Sequence, residues 1–206
     1  MAVPTQKLVT PKGELAWVFI TGKGKKDLNG NDRYVASIRL KKDSPEHKQI
    51  EEEINAFWEE NKGKGWKQKS NGIKEEVYPE NHEEAGEPTG YVLVNFWTGI
   101  EFPDGSPKKV VTKTAKNVEV DLKGRKIGNG SEGRISGVMG LFDQGISARG
   151  VTLYLNSIQI TKFVEFNQDD GFEEEDGFDG SELDEDGFSA ESTSSDDEEK
   201  PAKVKL

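Results

Sequence analysis

The sequence predicts a mainly β domain, a small barrel or sandwich with one α-helix between strands 2 and 3, carrying an acidic tail. Three observations predict it. Short runs rich in aromatic and β-branched residues recur between turn signals built from Gly, Asn, Asp and Pro. A single stretch has convincing helical spacing. Glycines fall inside the strand-like runs, which fits the tight curvature of a small closed barrel.

Residues 13–22, GELAWVFITG, read as the first strand. Asn29-Gly30 is a hairpin signal, because both central turn positions need positive φ. Residues 33–40, RYVASIRL, alternate: Tyr34, Ala36, Ile38 and Leu40 are set toward a core, while Arg33, Ser37 and Arg39 form a polar face. A helix begins after the candidate N-cap Ser44, with Pro45 at its first position and Glu46 in its first turn. Ile50, Ile54, Phe57 and Trp58 supply its apolar stripe, and Gly63 and Gly65 end it. Residues 61–89 read as a polar, loop-rich stretch. GYVLVNFWTGI (90–100) is a strong strand, KKVVTK and KNVEVD are short ones, and residues 133–143 and 150–166 complete the set.

Charge divides the chain. Residues 167–199 hold 16 Asp and Glu and no Lys or Arg, which leaves 23 acidic against 25 basic residues in 1–166. The formal charge of −11 thus conceals a slightly basic body and a strongly acidic tail, an asymmetry that points to an electrostatic partner. The expected domains are 1–166 and 167–206, the second too poor in aliphatic residues to fold and expected to be disordered. There is no cysteine, so disulfides, thiol catalysis and thiolate metal sites are excluded. No apolar leader or long apolar run occurs, and the expectation is a cytoplasmic protein with no membrane partner.

Motifs that suggest other chemistry lack their context. GNGSEG (128–133) matches a dinucleotide-binding pattern, but a glycine-bearing strand follows it where a helix is required. Asp27, Asn29 and Asn31 have calcium-loop spacing, yet Asp32 and Ile38 occupy the positions that need Gly and Glu. His47 and His82 have no metal-ligand partner at a recognisable spacing and read as solvated surface. No catalytic constellation, metal site or cofactor is expected. A nuclease or nucleotide hydrolase would need clustered carboxylates, which these strands do not present.

Basic residues interleaved with aromatic ones do form a pattern. Lys25 and Lys26 crowd the first hairpin, and Arg33 and Arg39 share the polar face of the second strand. Trp66 sits among Lys67, Lys69 and glycines in a loop, with no obvious core to enter. Lys109 and Lys113 lead into a strand, Arg134 flanks another, and Tyr154 faces outward between Leu153 and Leu155. Cations that follow phosphates and rings that stack on bases are the components of a single-strand groove. Trp17, Phe19, Phe96 and Trp97 read instead as core. In the tail, Asp-Gly-Phe occurs three times, and Phe172, Phe178 and Phe188 look like handles for partners, since exposed phenylalanine opposes solubility.

With these features the chain resembles the single-stranded DNA-binding proteins of tailed bacteriophages, the gene 2.5-type family. The local similarity is clearest from Lys109 to Ile160, including the loop Ile127-Gly128-Asn129-Gly130-Ser131, and the resemblance spans residues 14–199. It implies an OB-fold, a small Greek-key barrel, and a role in DNA replication, recombination and repair. It implies single-stranded DNA as partner, and tail contacts with a DNA polymerase and a primase-helicase and in a homodimer. Family tails end in acids and a terminal aromatic residue, whereas this chain reads KPAKVKL at that point, so the internal Asp-Gly-Phe units are expected to replace it. The tail is expected to suppress weak or double-stranded DNA binding, which its removal would release. The competing expectation is an acidic-tailed, chaperone-like interaction module that binds protein and not DNA.

Overall fold

The computed structural model describes residues 4–146 and 148–166; the acidic segment with Phe172, Phe178 and Phe188 lies outside the described residues. Among the described residues, nine strands and one helix run in the order β1 (Thr5–Val9), β2 (Gly13–Phe19), β3 (Lys25–Lys26), β4 (Asp32–Lys41), α1 (Pro45–Asn61), β5 (Ile73–Val77), β6 (Pro88–Gly99), β7 (Val111–Thr114), β8 (Glu132–Asp143) and β9 (Arg149–Lys162).

Five of the strands close on themselves. β2 pairs with β4, β4 with β6, β6 with β9, β9 with β8, and β8 returns to β2. All contacts are antiparallel except β6–β9, which meet in parallel at one pair, Trp97 and Tyr154. This five-stranded barrel is an OB-fold, and α1 lies between its second and third strands (β4 and β6). Strand alternation fills the interior with Leu15, Ile38, Val94, Phe96, Ile135, Met139, Leu153 and Ile158, all essentially inaccessible. Tight closure needs a residue without a side chain where strands cross. At Gly137 on β8 a Cβ would stand 2.3 Å from the Tyr154 carbonyl oxygen and 2.8 Å from the Phe96 ring.

The helix covers the barrel with Ile50, Ile54, Phe57 and Trp58, each worth about 1.5–3 kcal/mol of apolar burial. Its start is held twice. Ser44 Oγ accepts from the His47 amide at 3.2 Å, and His47 Nδ1 accepts from the Asp43 amide at 3.1 Å. His47 is therefore a buried capping residue and not the solvated side chain expected, because its ring nitrogen accepts the amide of Asp43, the residue before the N-cap.

Three strands depart from the sequence reading. β1 is an added edge strand on β8, with Leu8 alone buried. β3 is a two-residue arm whose turn to β4 contains Asn29-Gly30. β5 falls in the stretch read as loop and pairs with β6 through backbone bonds, though only Ile73 packs on the core. KNVEVD forms no strand and contributes a single bridge between Glu119 and Lys113.

Candidate nucleic-acid interface

The outer face of β4 and β6 is built by their register. Arg33, Val35, Ser37 and Arg39 on β4 lie opposite Gly99, Trp97, Asn95 and Leu93 on β6. Residues opposite one another share a face, so alternation that sends Phe96 inward sends Trp97 outward. Arg33 places its guanidinium 4.0 Å from the Trp97 ring centre, and Tyr154 meets that ring edge-on at 5.3 Å. Phe142, Gln144, Lys74 and Ser70 complete a groove of about 620 Å³ around them. Between the two arginines, Ser37 is buried and donates to Asn95 Oδ1 at 2.6 Å, which ties β4 to β6 under the groove.

The groove continues at one end. Ser70 bridges to Gly150, and the preceding Lys69 lines a second depression with Lys67, Arg149 and Ile146. At the other end Lys25 is in register with Arg33. Basic and aromatic side chains thus run from Lys67 and Lys69 past Tyr154 and Trp97 to Arg33 and Lys25.

No protein-family model matches the sequence, and curated proteins give no match. Solved structures do. The single-stranded DNA-binding protein gp2.5 of bacteriophage T7 superposes with a TM-score of 0.54 at 14% identity, over 91% of this chain and 100% of that one. A C-terminal truncation of the single-stranded DNA-binding protein of bacteriophage Enc34 gives 0.53 at 14% identity, over 77% and 87%. The Enc34 protein in complex with single-stranded DNA gives 0.52 at 13% identity, over 77% and 88%. The fold is that of the phage single-stranded DNA-binding proteins.

Within this fold the sequence-predicted residues separate. Arg33 and Tyr154 line the central groove, Lys67 and Lys69 its extension, and Lys25 its far end; Lys26 is paired with Asp32 at 3.2 Å. Trp66 has a core to enter: it packs against Trp58, ring centres 6.1 Å apart, and Arg149 lies 4.9 Å from its ring centre. Arg39 rests 3.8 Å from the Tyr91 ring centre and bonds Glu76 at 2.8 Å and Glu14 at 3.1 Å. Burial works against its charge, but hydrogen bonds and charge from Glu76 and Glu14 hold its pKa above the ordinary guanidinium value. Two carboxylates on one guanidinium leave Arg39 itself with no net positive charge to offer. Lys109 pairs with Glu119 at 3.4 Å, and Lys113 reaches Asn117 at 3.0 Å. Arg134 borders a separate depression with Lys12, Glu46 and Gln49. None of these last three lines the Trp97 groove.

Sequence reasoning missed Trp97, Phe142 and Lys74. It also set Trp17 and Phe19 in the core, whereas they are 57% and 39% exposed. The calcium-like spacing belongs to a turn: Asp27 Oδ1 accepts from the Asn29 and Asn31 amides at 2.8 and 2.9 Å, and its other oxygen bonds Arg33 at 2.5 Å. Burial raises the Asp27 pKa, and the bonds from Asn31 and Asn29 and the charge of Arg33 outweigh that and hold it low.

Proposed function

We propose that this protein binds single-stranded DNA without strong sequence preference, bases stacking on Trp97 and Tyr154 while Arg33, Lys74, Lys67, Lys69 and Lys25 neutralise phosphates. One observation carries the reading: on the outer face of the second and third barrel strands, the face OB-folds use for oligonucleotides, Trp97 carries the Arg33 guanidinium over its ring and meets Tyr154 of the fifth strand edge-on. The reading draws support from the fold shared with phage proteins that bind single strands. Stacking is tolerant of sequence because every base has a π-face. The role that follows is coating of single strands during phage DNA replication, recombination and repair, without catalysis.

In this reading the acidic tail competes with DNA for the basic groove and limits double-stranded binding. Its Asp-Gly-Phe units, with Phe172, Phe178 and Phe188, recruit replication proteins such as a polymerase or primase-helicase. The tail follows Phe166 in the sequence.

Fluorescence anisotropy with a labelled oligonucleotide tests this. The full chain should bind single strands at low salt, with a log–log salt slope near −0.7 per neutralised phosphate. A chain ending at Phe166 should bind tighter and gain affinity for duplex. Failure of both chains to bind single strands at low salt rejects the proposal.

A further inference from the structure

A second group of rings lies outside the groove and has no part in the barrel core. The pairing of β2 with β4 slips between Ala16 and Phe19, and in that bulge Trp17 adopts φ of +52°. A bulky residue in the left-handed region is strained, and bulges commonly re-aim a side chain next to a site. Regular alternation would send Leu15, Trp17 and Phe19 to one side. Here Leu15 is buried while Trp17 and Phe19 stand out, 57% and 39% exposed. The rings border a depression of about 550 Å³ with Val18, Ile127, Lys126 and Phe166, itself 48% exposed.

Lys25 holds its ammonium 5.6 Å from the Trp17 ring centre and 5.7 Å from that of Phe19. No acidic partner of Lys25 occurs among the described residues. The arm that carries it is brought close by Gly24, whose φ is +63° and where a Cβ would sit 2.1 Å from the Arg33 carbonyl oxygen. Strain, a close backbone approach and three exposed rings, Phe166 included, together maintain an apolar patch with a positive rim, the kind of exposed surface that marks a binding site.

Register shows where the patch leads. Phe19 pairs with Val35, Val35 with Trp97, and Trp97 with Tyr154. One row therefore crosses four strands and carries three rings on the outer face. Phe19 and Trp97 are two strand spacings apart, about 10 Å. Lys25 and Arg33 are neighbours in the adjoining row.

We infer that Trp17 and Phe19, with Lys25, form a second nucleobase-stacking subsite, reached by the same single strand after it crosses Val35 from the Trp97–Tyr154 groove. This rests on the single-strand reading above. The strand's phosphates pass Arg33 and then Lys25, and its further bases lie on rings that the bulge has turned outward.

The test uses the full chain and oligothymidylates of increasing length, with wild type, Trp17→Ala, Phe19→Ala, Trp17→Tyr and Trp97→Ala compared by anisotropy and by photo-crosslinking of 5-iodouracil-substituted oligonucleotides. The expected result is that Trp17→Ala and Phe19→Ala lose about fivefold or more in affinity on long oligonucleotides. They should lose less on the shortest that bind, Trp17→Tyr should restore most of the loss, and wild type should crosslink at Trp17 or Phe19. If Trp97→Ala is impaired while Trp17→Ala and Phe19→Ala match wild type at every length, the second subsite is wrong and the groove stands. An equal loss at all lengths without tyrosine rescue or crosslinks assigns Trp17 to the fold and also overturns it. Absence of wild-type binding at any length overturns both readings.

Discussion

Arg33 is shared between a ring and a carboxylate: its guanidinium lies over Trp97 at 4.0 Å and bonds Asp27 at 2.5 Å. The two contacts predict different responses when each partner is changed. Trp97→Ala should weaken single-strand binding by about 1–3 kcal/mol and leave its salt dependence nearly unchanged, because a stack displaces no counterions. Arg33→Ala should also flatten the log–log salt slope by about 0.7. Anisotropy titrations across a salt series distinguish the two.

Asp27→Asn keeps an acceptor for the Asn29 and Asn31 amides but removes the charge that Arg33 answers. Binding should tighten and its salt slope steepen by about 0.7. The same carboxylate carries a pH signature. Its folded pKa lies below the ordinary value of 3.8, so its contribution to stability is present above that value and is lost as pH falls through the folded pKa. Acid titrations followed by circular dichroism should show a shallower loss of stability in this window for Asp27→Asn than for wild type.

Arg39→Ala should leave single-strand affinity close to wild type, since Glu14 and Glu76 already occupy the guanidinium. It should lower stability by about 1–3 kcal/mol, because partly buried carboxylates lose their partner. Chemical denaturation and a binding isotherm on the same variant check both halves.

Gly137→Ala should be severe. Its added methyl would meet the Tyr154 carbonyl at 2.3 Å and the Phe96 ring at 2.8 Å, both fixed by the barrel. A loss of about 3 kcal/mol is expected from overpacking at this crossing, read as a lower denaturation midpoint.

Much of this architecture is legible in the residues. The stripe Ile50, Ile54, Phe57 and Trp58 and the Ser44–Pro45 start define α1, and alternation in 33–40 assigns both faces of β4. Trp97 reads as core, although adjacent Phe96 and Trp97 cannot both enter one core, and alternation is the signal that places it outward. Other features are not legible. IKEEV pairs through its backbone, and backbone bonds leave little trace in side-chain pattern. Trp17 and Phe19 follow Leu15 at even spacing, and only the bulge, a property of the pairing, reverses their direction. Arg39 reads as a free cation because Glu76, 37 residues later, is brought to it by tertiary structure alone.

The rung at Trp97 and Tyr154 is where the fifth strand meets the third, and it is a single pair. The seam that shuts the cylinder is thus also the floor on which a base would rest. A ligand clamped across it fastens the protein as well as itself. Oligonucleotide should raise the melting temperature, and go on raising it with the logarithm of its free concentration above Kd, and amide exchange should slow first at this suture.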